Sequence, residues 1–200
     1  MSRAMARSTA TLRVITDPRP RPVLPSAVLG MLIFVGTEVM LFAGLISAFL
    51  ILRASAAGAW PPAGQPRLPL GETAINTAAL LASGVVLYRA RVAFRESPAR
   101  AVRPLAIAMA LGAFFLLFQG YEWVMMIGQG LTLSSSNHGS FFYLIVGLHG
   151  LHVLAGLSVL SWACWRLRGG FLASSSFGAA QVFWFFVVGL WPILYFLVYT

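Results

Sequence analysis

Cysteine is almost missing from this sequence, and lysine is missing altogether. Among 200 residues there is one cysteine, Cys164, and all fourteen basic residues are arginine. A single cysteine excludes an internal disulfide and the paired-cysteine motifs that bind zinc or attach haem. Three histidines cannot supply both a bis-histidine haem site and a three-histidine copper site. We therefore expect no redox centre that is held by this chain alone.

Sequence motifs of soluble enzymes are missing as well. The chain contains no phosphate-binding loop, no dinucleotide-binding glycine pattern and no nucleophile elbow. We therefore predict no catalytic residue in this chain.

Charged residues are scarce, at 10% of the chain, whereas 59% of the residues are hydrophobic. Apolar runs of about 20 residues recur, and this is the length that a helix needs to cross a membrane. The sequence therefore predicts an all-α polytopic membrane protein with five transmembrane helices. Before them, residues 1–25 form a basic, proline-rich tail without the apolar core of a signal peptide. The helices are expected at about residues 26–52, 73–94, 104–127, 139–167 and 177–200.

The arginines are unevenly distributed between the predicted loops. Twelve of the fourteen lie in the tail, in the loop near 89–103 and at the end of the fourth helix, and only Arg53 and Arg67 lie elsewhere. Positive charge accumulates on the cytoplasmic side of membrane proteins, so we expect a cytoplasmic N-terminus and a periplasmic C-terminus. No soluble basic surface remains once the helices are assigned, which excludes nucleic acid as a partner.

Five polar or ionisable side chains lie inside the apolar runs: Glu38, Gln119, Glu122, His149 and His152. Such groups are costly in lipid and mark a functional site by default, here one related to protons or lipid. Glu38 near the middle of the first helix should be protonated or paired. It is either a neutral acid bonded to a neighbouring helix or a functional proton-relay or lipid-site acid.

The two histidines, three residues apart, share one face of the fourth helix. They could bind a metal, but catalytic zinc usually has three protein ligands and the di-iron pattern of helical bundles is missing. We therefore predict no metal, and hydrogen bonds from both imidazoles across helices. Glu122 and Gln119 share a face of the third helix, where hydration or pairing with Arg53 or Arg67 would accommodate the carboxylate.

Aromatic residues and one further histidine are expected near the membrane surfaces. We predict that His138 is solvated in the loop before the fourth helix. Aromatic side chains concentrate at the interface between lipid and water, and four of them are expected to anchor the bundle there: Trp60, Trp123, Tyr195 and Tyr199.

Several stretches together resemble subunit III of the haem-copper respiratory oxidases, including cytochrome c oxidase and its quinol-oxidase relatives. They cover almost everything after residue 25, and their combination is specific although no single stretch is. The stretches are GTEVMLFAGLISAF (36–49), WPPAGQPRLPLGETAINTAALLASG (60–84), FQGYEW (118–123), GSFFYLIVGLHGLHVLAG (139–156) and FWFFVVGLWPILYFLVY (183–199).

The resemblance implies a helical subunit of a bacterial plasma-membrane oxidase that carries no haem or copper itself. It implies direct packing on subunit I, with subunit II and a small subunit IV as further partners. Haem and copper are expected in the partner subunits. It also implies bound phospholipid and support of proton uptake during turnover. Glu38 matches the family's buried, carbodiimide-reactive glutamate, Glu122 matches a helix glutamate, and His149 and His152 match the HGxHV histidines. Larger members have seven helices, of which this chain lacks the first two.

One stretch departs from the family pattern. The last helix usually reads Trp-His-Phe-Val-Asp, whereas here Phe185 and Val188 replace the His and the Asp. This leaves a quinol oxidase or a nitric oxide reductase as an alternative host complex. Alternatives from other classes are a metal-dependent membrane enzyme and a stand-alone transporter of protons or solutes. The odd number of spans and the lack of an internal repeat disfavour the transporter.

Overall fold

The computed structural model describes residues 24–55, 70–134 and 136–199. All five helices in these ranges are long and apolar enough to cross a membrane, and no strand occurs in them. The predicted all-α class with five spans is therefore confirmed for the described chain. The helices are α1 (Ser26–Ser55), α2 (Leu70–Glu96), α3 (Pro98–Gly128), α4 (Asn137–Arg168) and α5 (Ser174–Leu194), and a π-helical turn (Tyr195–Tyr199) continues α5.

The helices extend beyond their apolar runs, most clearly at the start of α3. This helix begins at Pro98 and not near Pro104, because Ser97 is extended and proline fits the first helical turn, where an N–H has no partner. Pro104 lies inside the helix, and its ring removes the hydrogen bond to the carbonyl of Arg100. Arg100 is exposed, so water can bond that carbonyl.

The fifth helix is the centre of the bundle. It packs against α1, α2 and α4, whereas α1 packs mainly on α5 and less on α4. In their most apolar stretches 50% of α5 is buried, against 6% of α1. Because α1 is equally apolar but exposed, it is the peripheral helix, and its outer face must meet lipid or another protein.

Trp184 holds four helices together. A Cβ atom added to Gly112 on α3 would lie 2.5 Å from its ring, and one added to Gly156 on α4 would lie 2.8 Å away. The indole N–H donates to the Ser83 hydroxyl on α2 over 3.1 Å. Only glycine leaves room for the ring between α3 and α4, which is how small residues bring membrane helices together.

The arginines near the α2–α3 and α4–α5 connections lie at one end of the bundle. The guanidinium of Arg91 at the end of α2 donates to the carbonyl of Ser174 at the start of α5 over 3.0 Å. At the opposite end, Arg53 of α1 donates to the carbonyl of Leu197 over 3.4 Å, so α1 and α5 run parallel. We call the first end the arginine-rich end; it carries Arg89, Arg91, Arg95, Arg100, Arg103, Arg166 and Arg168.

Candidate functional site

Glu38 of α1 and His152 of α4 form a hydrogen-bonded pair near the middle of the bundle. The carboxylate Oε2 lies 2.9 Å from the imidazole Nε2, and the two side chains are 16% and 11% exposed. This matches the expectation of a Glu38 that bonds to a neighbouring helix. It gives α1, which buries little of its surface, a polar tie to the rest of the bundle.

The geometry fixes how many protons this pair shares. His152 Nδ1 lies 2.8 Å from the carbonyl of Leu148, and a carbonyl only accepts, so Nδ1 carries a hydrogen. One further proton must then lie between Nε2 and Oε2. Whether it belongs to the acid or to the imidazole, the pair has no net charge, and a neutral pair is the arrangement that lipid surroundings tolerate best.

Aromatic rings enclose the pair. The imidazole of His152 has ring-centroid distances of 5.3 Å to Phe42, 6.3 Å to Phe183 and 6.1 Å to Phe186. These rings exclude water from most of the surface of the pair. The proton is therefore held in a small apolar compartment between α1, α4 and α5.

A second polar group lies between α2, α3 and the end of α5, and we call it the Glu122 cluster (Thr73, Asn76, Gln119, Glu122 and Tyr199). Thr73 Oγ1 lies 3.0 and 3.1 Å from the two carboxylate oxygens of Glu122. Gln119 Nε2 donates to Glu122 Oε2 over 2.9 Å. Because Glu122 is only 2% exposed, its carboxyl group forms its hydrogen bonds with these neighbouring side chains and not with bulk water.

The amide of Gln119 connects the remaining members of the cluster. Its Nε2 also donates to the Tyr199 hydroxyl over 3.0 Å, and its Oε1 lies 3.4 Å from Asn76 Nδ2. Asn76 Nδ2 donates in addition to the carbonyl of Phe115 over 3.2 Å. The cluster therefore ties the last described turn of the chain to α2 and α3.

Hydration or pairing with an arginine was expected for Glu122, and the structure gives it neutral polar partners instead. The carboxylate bonds to Thr73 and Gln119, whereas the guanidinium of Arg53 donates to the carbonyl of Leu197. Two neutral donors satisfy the carboxyl group without bringing a long charged side chain into the bundle. Arg67, the other candidate partner, lies outside the described residues.

The two histidines of α4 differ sharply. His149 is fully buried, its ring stacks on Trp191 at 4.9 Å, and it meets Phe115 edge-on at 6.0 Å. Neither ring nitrogen has a hydrogen-bond partner among the described residues. The expectation that both imidazoles bond across helices is therefore met by His152 only, and His149 is held by aromatic packing.

His138 is not solvated, and that prediction is wrong. The residue is 2% exposed and belongs to the first turn of α4, whose start is fixed by the hydrogen bond from Gly139 N–H to Ser136 Oγ. In the described ranges, no three His, Cys, Asp or Glu side chains come together in a way that could hold a metal ion.

The predicted aromatic anchors have different surroundings. Tyr195 donates to the carbonyl of Leu70 over 3.0 Å, whereas Tyr199 is buried and belongs to the Glu122 cluster. The ring of Trp123 lies against Gly147 of α4. Trp60 lies outside the described residues. Anchoring at a membrane surface stays a prediction for these residues.

Two tryptophans of α5 form hydrogen bonds that were not predicted from the sequence. Trp184 bonds to Ser83, and Trp191 Nε1 donates to Thr77 Oγ1 over 2.8 Å. The tryptophans are seven residues apart on α5, and their partners are six residues apart on the antiparallel α2. This shared spacing of about two helical turns could have predicted from the sequence that the two tryptophans bond to α2.

Fold and site define a class of five-helix membrane protein, in which the buried acids Glu38 and Glu122 form hydrogen bonds with side chains of the bundle. The sequence model of the family described as cytochrome c oxidase subunit III matches residues 19–200. The chain therefore belongs to the cytochrome c oxidase subunit III family.

Three relatives illustrate the extent of the match. Cytochrome c oxidase subunit 3 of Synechocystis sp. is 37% identical over 175 residues, which is 85% of this chain and 73% of the relative. That of Thermostichus vulcanus is 36% identical over 177 residues, or 86% of each chain. The probable cytochrome c oxidase subunit 3 of Nocardia farcinica is 34% identical over 198 residues, 94% of this chain and 95% of the relative. Family and spans together indicate a multi-pass membrane protein of an oxidase complex.

Proposed function

We propose that this chain is the non-catalytic subunit III of a bacterial respiratory haem-copper terminal oxidase. The observation that carries the proposal is the family match from residue 19 to residue 200. The polar groups support it, because Glu38 and Glu122 are occupied by partners within the bundle and not arranged around an open site. Haem and copper then belong to subunits I and II.

Direct packing on subunit I is the contact that the outer surface of the bundle supports. Large apolar side chains cover this surface on α1, α3 and α4, for example Met40 at 75%, Leu117 at 75% and Leu151 at 60% exposed. A surface of this kind accepts either lipid tails or the apolar face of another membrane subunit. Subunit II and a small subunit IV complete the proposed complex.

The proposed orientation places the arginine-rich end and the N-terminus in the cytoplasm of a bacterial inner membrane. The contact between Arg91 and Ser174 supports it, because it puts the end of α2 and the start of α5 on one side. The positive-inside bias then assigns that side to the cytoplasm. An impermeant maleimide should label a cysteine placed at Leu172 only after cell lysis, and one placed at Leu133 in intact spheroplasts.

The proposed role is to bind lipid and to support proton uptake and lasting turnover by the catalytic subunit. The Glu38–His152 pair supports a protonic role, since it holds one exchangeable proton between two bases at mid-membrane. The carboxyl group of Glu38 therefore does more than fill space between helices. Through its shared proton, the pair connects the buried acid of α1 to the proposed function of the complex.

The last helix favours one second candidate, a subunit III of a quinol oxidase or of a nitric oxide reductase. Val188 is 7% exposed and packs so tightly that a Cβ atom on Gly84 would lie 3.1 Å from it. Phe185 is 38% exposed. An apolar pair at positions where the family pattern has His and Asp marks a divergent branch, which fits a different electron donor or acceptor.

Sustained oxygen consumption tests the proposed role. Membranes that contain the oxidase with and without this chain are compared under continuous turnover. We expect equal initial rates and haem spectra, but earlier loss of activity without this subunit. Loss of the initial rate to zero would assign the chain a catalytic part, and identical lifetimes would contradict a supporting role. Nitric oxide consumption in place of oxygen consumption would select the second candidate.

A further inference from the structure

We propose that the last described turn of the chain, Tyr195–Tyr199, is a lid that closes the Glu122 cluster to water and can open. The turn lies at the end of the bundle opposite the arginine-rich end, where α2 begins and α3 ends. In the closed state it keeps bulk water away from the carboxyl group of Glu122. In the open state water reaches this group, which then exchanges a proton with it. The lid consists of this chain's own residues, so it does not rest on the proposed function.

Glu122 is a buried acid that lies close to the end of the bundle. It bonds to Thr73, which follows the first residue of α2 by three positions, or about 4.5 Å along the helix axis. Glu72, the neighbour of Thr73, is exposed, whereas Glu122 is only 2% exposed. Because so short a distance separates the acid from the start of α2, a small displacement of the side chains that cover it is enough to admit water.

Tyr199 is the part of the turn that contacts the cluster. Its hydroxyl accepts a hydrogen bond from Gln119 Nε2 over 3.0 Å, and the same nitrogen donates to Glu122 Oε2 over 2.9 Å. An amide nitrogen has two hydrogens, so the closed turn uses one and Glu122 uses the other. Tyr199 is itself 6% exposed, and its ring lies 5.7 Å from that of Phe142 on α4. A single amide group therefore connects the turn to the acid.

Two further hydrogen bonds fasten the turn to neighbouring helices, and neither involves the cluster. The Tyr195 hydroxyl donates to the carbonyl of Leu70 on α2 over 3.0 Å, and Arg53 on α1 donates to the carbonyl of Leu197 over 3.4 Å. Each such bond contributes modestly to stability, because water competes for both of its partners. These contacts can therefore break without disrupting any of the five helices.

The backbone before the turn has the features of a hinge. Pro192 lies in the last turn of α5 and has no N–H, so the carbonyl of Val188 lacks its usual partner in the helix. After Leu194 the helix continues as a π-helical turn, a rare geometry that is frequent at functional sites. Helices bend at prolines and at π-helical turns, so the turn can move while the rest of α5 stays in place.

Asn76 indicates that the cluster has a place for water. The residue is fully buried, and its Oδ1 has no hydrogen-bond donor among the described residues, although its Nδ2 bonds to Phe115 and Gln119. Buried polar atoms almost always have a partner, either a protein group or a water molecule. A water molecule at Oδ1 supplies the missing hydrogen, and the lid decides when it exchanges with bulk water.

Carboxyl modification of the full chain in its native membranes tests the lid. A water-soluble carbodiimide with glycinamide converts an accessible carboxyl group to an amide, and mass spectrometry of peptides follows Glu122 and Glu72 separately. Glu72 is the internal reference, because it is exposed at the same end of the bundle. In the unaltered chain we expect Glu122 to react about tenfold more slowly than Glu72 or slower still, because only the open state reacts.

Two variants loosen the turn without changing the cluster. Tyr195→Phe and Arg53→Met each remove one of the two fastening bonds, so each should speed modification of Glu122 about fivefold, the effect of one hydrogen bond on an opening equilibrium. The double variant should show about the product of the two effects. Glu72 should react at the same rate throughout. The matched control is Tyr121→Phe, which removes the hydroxyl of an exposed tyrosine on the helix of Glu122.

Three results would overturn the lid. If Glu122 reacts as fast as Glu72 in the unaltered chain, nothing covers it. If its rate is the same in the unaltered chain and in both variants, the turn is not the barrier to water. If Tyr121→Phe speeds the reaction as much as Tyr195→Phe, the bundle is loosened in general. None of these results depends on a haem-bearing partner, so they are distinct from a failure of the proposed function.

Discussion

Loss of the hydrogen bond between α1 and α4 should destabilise the protein through the acid that is left behind. In His152→Leu, Glu38 loses the partner that lies 2.9 Å away, and at 16% exposure its carboxyl group reaches little water. Hydrogen bonds between membrane helices contribute about 0.6 kcal/mol on average. A buried polar group without a partner costs about 1–3 kcal/mol. We therefore expect a loss of about 1–2 kcal/mol, most of it due to the orphaned acid.

A double-mutant cycle in the purified complex measures this effect. For a chain of this size, about 1 kcal/mol corresponds to a Tm change of about 2–4 °C. His152→Leu should lower the Tm at which the subunit dissociates by about 2–8 °C. Adding Glu38→Leu should recover more than half of the loss, because both polar groups are then gone. Glu38→Gln keeps a hydrogen-bonding group and should leave the complex assembled. Additive losses in the double variant would refute the reasoning.

Variants at three further positions test the rest of the bundle. His149→Phe keeps the stacking on Trp191 and removes no hydrogen bond among the described residues, so the Tm should stay within about 2 °C; a loss as large as that of His152→Leu would refute this. Glu122→Gln should be tolerated, whereas Glu122→Leu should lower the Tm by more, because Thr73 and Gln119 lose their acceptor; equal Tm values would contradict the cluster. Gly156→Val should impair insertion or assembly in pulse-chase experiments, since Trp184 occupies the space of its side chain, and unchanged assembly would show that α4 can move aside.

The number of helices was predictable because the length of an apolar run depends only on local sequence. Their ends were not, since charged residues continue a helix beyond the hydrocarbon. Arg100 and Arg103 interrupt the apolar pattern, yet both lie in the first turns of α3. The loop that the sequence suggested there is reduced to Ser97.

The polar residues were predictable as a set, but their partners were not. Gln119 and Glu122 share a helix face by spacing alone, and the structure places them in contact. The Glu38–His152 contact joins residues 114 positions apart, and it depends on how α1 crosses α4. The tyrosine at position 199 was expected at the membrane surface, because aromatic residues near helix ends usually lie there. It is buried instead, and the amide of Gln119 on α3 donates to its hydroxyl.

Purification of the complex tests most directly whether this chain is, as we propose, a haem-free subunit of an oxygen-reducing haem-copper oxidase. A tagged form, purified from native membranes in mild detergent, should be analysed by reduced-minus-oxidised spectra and by mass spectrometry of its subunits. We expect haem a bands and a large catalytic subunit in equal amounts with this chain. Purification of the chain without any haem-bearing partner would refute the proposed function.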